Sequence, residues 1–166
     1  MKRLNFAVIV LSLIAFKPAL GDEVTKCFER AWAHTENGGL GLHRGGAIEL
    51  CQGTTNANQV LRCFERAWAH PANGGLGLHR GGAIDLCRRA TNANEVTRCF
   101  ERAWSHSNDG GLGLHRGGAI DLCRGATNAN QITRCFQRAW AHPDNGGLGL
   151  HRGGAIELCS PKSTVK

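Results

Sequence analysis

The chain has 166 residues, with 20 lysines and arginines against 13 aspartates and glutamates, eight cysteines, 23 glycines and no tyrosine. Its formal charge of +7 falls to +4 once Lys2, Arg3 and Lys17 are set aside, because 17 basic residues then face 13 acidic ones. So mild a balance, with no basic run, argues against a nucleic-acid-binding tail, and no nucleic-acid partner is expected.

Lys2 and Arg3 precede an apolar stretch from Phe6 to Phe16, and Ala19-Leu20-Gly21 places small residues two apart. This is the pattern of a secretory signal peptide, residues 1–21, with cleavage expected after Gly21. The apolar run is shorter than the ~20 residues a membrane-spanning helix needs. No later segment is apolar enough to stop transfer, so no membrane span is expected. The remainder, from Asp22 onward, reads as secreted, either extracellular or periplasmic.

Cys27, Cys63, Cys99 and Cys135 are spaced 36 residues apart, as are Cys51, Cys87, Cys123 and Cys159, so one unit occurs four times. The units are assigned to 22–52, 53–88, 89–124 and 125–160, followed by a tail at 161–166. The string Gly-Gly-Leu-Gly-Leu-His-Arg-Gly-Gly-Ala-Ile recurs unchanged at 38–48, 74–84, 110–120 and 146–156. Variation gathers just before it, around Thr35, Pro71, Ser107 and Pro143. Either selection or recent duplication yields such identity.

In the second unit, Asn56-Ala57-Asn58-Gln59 reads as a capping box, with Asn56 taking a free amide and Gln59 reaching back. Asn92 with Glu95 and Asn128 with Gln131 repeat it. Val60, Cys63, Phe64, Ala67 and Trp68 then fall on one helical stripe, while Arg62, Glu65 and Arg66 point elsewhere. Phe64 and Trp68 are both expected in the core, as are Trp32, Trp104 and Trp140. His70 falls in the last turn of that helix, Pro71 cannot continue it, and Asn73-Gly74-Gly75 reverses the chain. A second, shorter helix is predicted from about Arg80 to Arg88, burying Ala83, Ile84, Leu86 and Cys87. Its Gly81-Gly82 start weakens it by roughly 1 kcal/mol per glycine relative to alanine.

Two helices per unit imply an all-α fold, a tandem array of four disulfide-stapled helical hairpins like an α-solenoid. The period is similar to that of tetratricopeptide repeats, but the Trp-Leu-Gly-Tyr pattern of that family is absent. Architecture is shared; family membership is not inferred.

Two cysteine pairings treat every unit alike. Pairing within units joins Cys27 to Cys51, Cys63 to Cys87, Cys99 to Cys123 and Cys135 to Cys159. Pairing across units strands Cys27 and Cys159. Parity and the side-by-side placement of hairpin ends favour the first. Each loop of about 25 residues contributes roughly 3.5 kcal/mol in the chain-entropy model, and a unit with few large apolar side chains and many glycines needs that contribution.

Cys63, His70, His79 and Cys87 are four potential zinc ligands, but they lack close ligand pairs, and thiols in an oxidising compartment become disulfides. No metal site and no cofactor are assigned. The glycine-rich run places backbone amides and an arginine at a helix N-terminus, a geometry suited to an anion. The candidate partner-binding residues are His43, Arg44, His79, Arg80, His115, Arg116, His151 and Arg152, although such glycines also serve simply as turns. No asymmetric set of acid, base and nucleophile occurs, so no catalysis is expected. The sequence reads as a binding module whose partner is a protein or an acidic surface, engaged through a repeated face. A metal-binding protein using the repeated histidines is the alternative.

Overall fold

The computed structural model describes residues 20–161. All but the last two residues of the expected signal peptide, and the tail beyond Pro161, lie outside the described residues. Among them are eight α-helices and no strand: α1 (Leu20–Trp32), α2 (Arg44–Cys51), α3 (Ala57–Trp68), α4 (Arg80–Cys87), α5 (Ala93–Trp104), α6 (Arg116–Cys123), α7 (Ala129–Trp140) and α8 (Arg152–Cys159). No described helix is long and apolar enough to cross a membrane.

The second unit shows why each element forms. The Asn56 carboxamide oxygen accepts from the Gln59 amide at 3.2 Å and starts α3. Val60, Cys63, Phe64 and Ala67 are then buried completely, as their spacing predicts. Trp68 departs from the expectation: it and its three counterparts are 41–57% exposed. At 100° per residue, Trp68 stands about 80° from Val60, at the margin of the stripe and on the last helical residue. There α3 has no further turn to pack against its outer face. The shorter α4 buries Ala83, Ile84, Leu86 and Cys87, as expected, and Gly82 as well.

Four disulfides staple the hairpins, Cys27–Cys51, Cys63–Cys87, Cys99–Cys123 and Cys135–Cys159, with Cα atoms 5.5–5.7 Å apart. Each joins the middle of a long helix to the last residue of a short one, while the loop joins their other ends. That arrangement fixes the two helices as an antiparallel pair. No described cysteine is free.

The hairpins stack, and α1, α3, α5 and α7 form one layer against α2, α4, α6 and α8 in the other. A single apolar core runs through all four units, from Cys27 to Cys159. Two devices set the register between neighbours. First, Ile84, Ile120 and Ile156 seat over Gly46, Gly82 and Gly118 of the preceding unit, with Cδ1 at 3.3, 3.4 and 3.1 Å from where a Cβ would stand. Second, the predicted capping box is only half formed. Gln59 does not reach back; its Oε1 accepts from the Ala93 amide at the start of the next long helix, at 2.8 Å. Glu23 does the same for Ala57 at 2.8 Å, and Glu95 for Ala129 at 2.7 Å. A side chain three residues into one helix thus supplies the acceptor that the first amides of the next helix lack. The reciprocal bond is absent in the fourth unit too, where Gln131 has no described helix ahead of it.

Candidate binding surface

The invariant loop begins where α3 runs out of internal hydrogen-bond donors. A 3-10 turn, Pro71–Asn73, follows, and Gly74 takes φ +74°, a left-handed conformation suited to glycine. The chain then folds back over the helix end. Leu76, Gly77 and Leu78 donate to the carbonyls of Arg66, Ala69 and Ala67, each at 2.9 Å, while both leucine side chains enter the core. Gly75 permits this approach, since a Cβ there would lie 2.0 Å from the Ala69 oxygen. The same bonds recur in the other three units. Much of the string is therefore a C-terminal cap that builds the site from behind.

One set of histidines stands where the sequence suggests, at the start of the short helices, and the other lies just outside the long helices. His79 is the N-cap of α4, its Nδ1 accepting from the Gly82 amide at 3.1 Å, and His43, His115 and His151 do likewise at 3.1 Å. His70 lies beyond the end of α3 rather than in its last turn, and its Nδ1 accepts from Ala72 at 3.2 Å to cap the 3-10 turn. His106 and His142 do the same in their units, whereas His34 makes no cap bond. At the start of α4 the bond uses the Nδ1 lone pair of His79, so the tautomer with the proton on Nε2 is the one that geometry requires.

Arg80 projects from the first position of α4 and its guanidinium carbon lies 5.5 Å from the centre of the Trp68 ring. Arg116 sits 5.4 Å over Trp104, and Arg152 sits 5.3 Å over Trp140. In the first unit Arg44 and Trp32 are both exposed. The ring in turn meets the buried phenylalanine one turn earlier, Phe64 to Trp68 at 6.0 Å between centroids. That contact anchors the inner edge of the tryptophan and leaves its outer face to the arginine and to solvent.

With the loop amides bonded to α3 and the Gly82 amide bonded to His79, the amides of Arg80 and Gly81 remain at the mouth of α4. The anion-cradling capacity is smaller than the glycine count suggests. What the sequence did not foresee is the exposed aromatic surface beside it. Adjacent packed helices lie about 8–10 Å apart, so Trp–Arg pairs recur at about that interval along one edge of the array.

The opposite edge carries a groove of about 540 Å³, lined by Glu49, Arg88, Arg89, Arg124 and Pro161 among others. Its guanidinium groups are partly committed: Arg124 lies 3.2 Å from Asp121, and Arg88 lies 3.7 Å from Asp85 and 4.0 Å from Glu49. Arg89 adopts φ +62°, where Gly53 and Gly125 stand in neighbouring units, so the chain path here is set by the fold. The zinc reading loses its sulfur ligands to the disulfides. Among the described residues no three histidine, cysteine or acidic side chains cluster as a metal site would.

Compared with known proteins, the chain matches no family model, no curated protein and no solved structure.

Proposed function

We propose that this chain is a secreted, non-catalytic binding module that engages an acidic protein partner through its repeated Trp–Arg edge. The observation that carries the reading is the exposed tryptophan with a guanidinium laid over it, recurring in register along a rigid array. Tryptophan and arginine dominate binding energetics where they are pre-positioned, because little rotamer freedom remains to be lost. Here Phe64 holds the ring from below and the ring holds the arginine, whose outer donors face solvent beside the two unbonded amides of α4. Three such pairs, with the exposed Trp32 and Arg44 of the first unit beside them, act together on one scaffold, so weak local contacts sum to useful avidity. The disulfides support the extracytoplasmic setting, since such bonds persist in oxidising compartments.

The test is to replace Arg44, Arg80, Arg116 and Arg152 with glutamine and measure retention on immobilised poly-glutamate across a salt series. The native protein is expected to bind in a salt-dependent way. A single replacement should cost little, and the fourth should cost much more than the first. Undiminished binding by the quadruple variant, with helicity and disulfides intact, sinks the proposal. Quenching of tryptophan fluorescence on binding distinguishes contact at this edge from contact at the basic groove opposite.

A further inference from the structure

Every internal boundary between units joins the same two surfaces. The trailing surface of one unit offers an amide acceptor and a bare glycine, Gln59 and Gly82 in the second unit. The leading surface of the next offers a helix start and an isoleucine, Ala93 and Ile120. At the two ends of the array these surfaces stand open among the described residues. At the leading end Ile48 is 49% exposed, where Ile84 is 3% exposed, and Phe28 is only partly buried, where Phe64, Phe100 and Phe136 are wholly so. At the trailing end Leu148 is 55% exposed against 6% for Leu76, and Leu158 is 53% exposed against 0% for Leu86. Gln131 accepts no amide there, although Gln59 in the same position does.

We propose that the trailing surface of one copy binds the leading surface of a second copy of this chain, head to tail, in the register of the internal boundaries. The chain itself identifies the occupant, because it covers this surface three times with the residues that the leading end leaves uncovered. In that register Ile48 of the next copy seats over Gly154, as Ile84 seats over Gly46. Arg138 faces Glu29 of the next copy, as Arg66 meets Glu101 inside the chain at 2.9 Å. Charge and shape therefore agree at both ends.

Solenoid arrays ordinarily close with terminal repeats whose outer face is polar. Here the end units keep the apolar residues of the middle ones. Nor does the backbone leave α8 on the path that launches another unit of the same build. Gly53, Arg89 and Gly125 take φ between +62° and +74° to begin each connection, and Pro161 occupies the corresponding place with its φ locked negative. Two unlike surfaces that complement each other give a heterologous contact, which yields open chains of copies unless its rotation closes a ring. The contact must offset lost translational and rotational freedom that the covalent link avoids within one chain, so assembly should grow with concentration.

The test uses the oxidised protein in sedimentation velocity from micromolar to millimolar concentration, together with two variants, Ile48→Glu and Leu158→Glu. Each blocks one surface, and each alters a side chain already half exposed, so the core is untouched. The native protein is expected to give a ladder of sizes that extends beyond the dimer with rising concentration. Each variant alone should lose association, and an equal mixture of the two should regain a one-to-one dimer and stop there, because one retains the trailing surface and the other the leading surface. A native protein that stays monomeric throughout overturns the proposal. So does a native protein that halts at a dimer, or a single variant that still dimerises, since either outcome means like surfaces pair. Should a glutamate disturb helicity or the disulfides, Ile48→Lys and Leu148→Lys block the same two surfaces and are judged by the same outcomes.

Discussion

Gln59 and Gln131 occupy the same position of their helices, follow the same Asn cap and differ in one respect. Gln59 caps the next helix at 2.8 Å, and Gln131 has no described helix to cap. Replacing each with alanine changes intrinsic helix propensity by the same few tenths of a kcal/mol. The difference between the two variants therefore isolates the bond between units. A net hydrogen bond contributes about 0.5–1.5 kcal/mol, and loss of a helix N-terminal acceptor costs about 1 kcal/mol on its own scale. Gln59→Ala should thus be about 1–2 kcal/mol less stable than Gln131→Ala, a gap of about 3–6 °C in Tm for a chain of this size. Thermal unfolding followed by circular dichroism, at a concentration where the protein is monomeric, reads the gap directly. Hydrogen exchange locates it, since the amide of Ala93 should lose protection in the first variant and keep it in the second. Equal costs at both positions would return each glutamine to its own N-terminus as a reciprocal capping box, and the argument for coupling between units would fail.

Reduction of the four disulfides should unfold the array, because each staple contributes roughly 3.5 kcal/mol and a domain's whole net stability is about 5–15 kcal/mol; an unchanged melting curve in reductant refutes this. Gly75→Ala should destabilise by about 2–4 kcal/mol, as overpacking against a fixed backbone does, since its Cβ would stand 2.0 Å from the Ala69 oxygen; chemical denaturation measures it. Thr54→Val should stabilise by about 1 kcal/mol, because the Thr54 hydroxyl is buried without a hydrogen-bond partner, in a place where the third and fourth units bury Ala90 and Ala126. A lower midpoint in that variant would mean the hydroxyl is satisfied in solution.

Particular residues show how far the sequence was legible. Asn56, Phe64 and Cys63 act within their own helix or hairpin, and there spacing alone was enough to place them. Cysteine parity worked because repetition removed all but two pairings. Gln59 misled because its partner lies 34 residues ahead in another unit, and helical periodicity carries no information about what stacks against an N-terminus. Trp68 misled for a geometric reason: a residue at the margin of a stripe is buried only if a neighbour overlaps the helix end, and Trp68 is the last residue of α3 and stays exposed. His79 was placed at the start of α4 correctly, but its capping bond was not, because histidine is not among the side chains ordinarily favoured for that role.

Ten of the eleven positions in the unchanged string have a place in the fold or at its exposed edge. Gly74 needs its positive φ, Gly75 its missing Cβ, Leu76 and Leu78 fill the core, and Gly77 takes φ +63°. His79 caps, Arg80 covers Trp68, Gly82 receives Ile120, and Ala83 and Ile84 are buried. Gly81 alone has no such reason: a Cβ there would meet only His79 of its own unit at 3.5 Å, an ordinary contact. Alanine in its place should stabilise α4 by up to about 1 kcal/mol, the difference in helix propensity. Such a gain leaves open why glycine stands there in all four copies, and binding supplies the discriminating measurement. Gly81 is exposed beside Arg80, with one of the two unbonded amides, so a partner whose acidic group reaches that amide needs the space a methyl would take. If all four equivalents, Gly45, Gly81, Gly117 and Gly153, are changed to alanine, the protein should melt higher and bind poly-glutamate more weakly. A variant that melts higher and binds as before shows that the fourth glycine of the string is inherited with the repeat and kept for neither fold nor partner, and the amides then have no part in recognition.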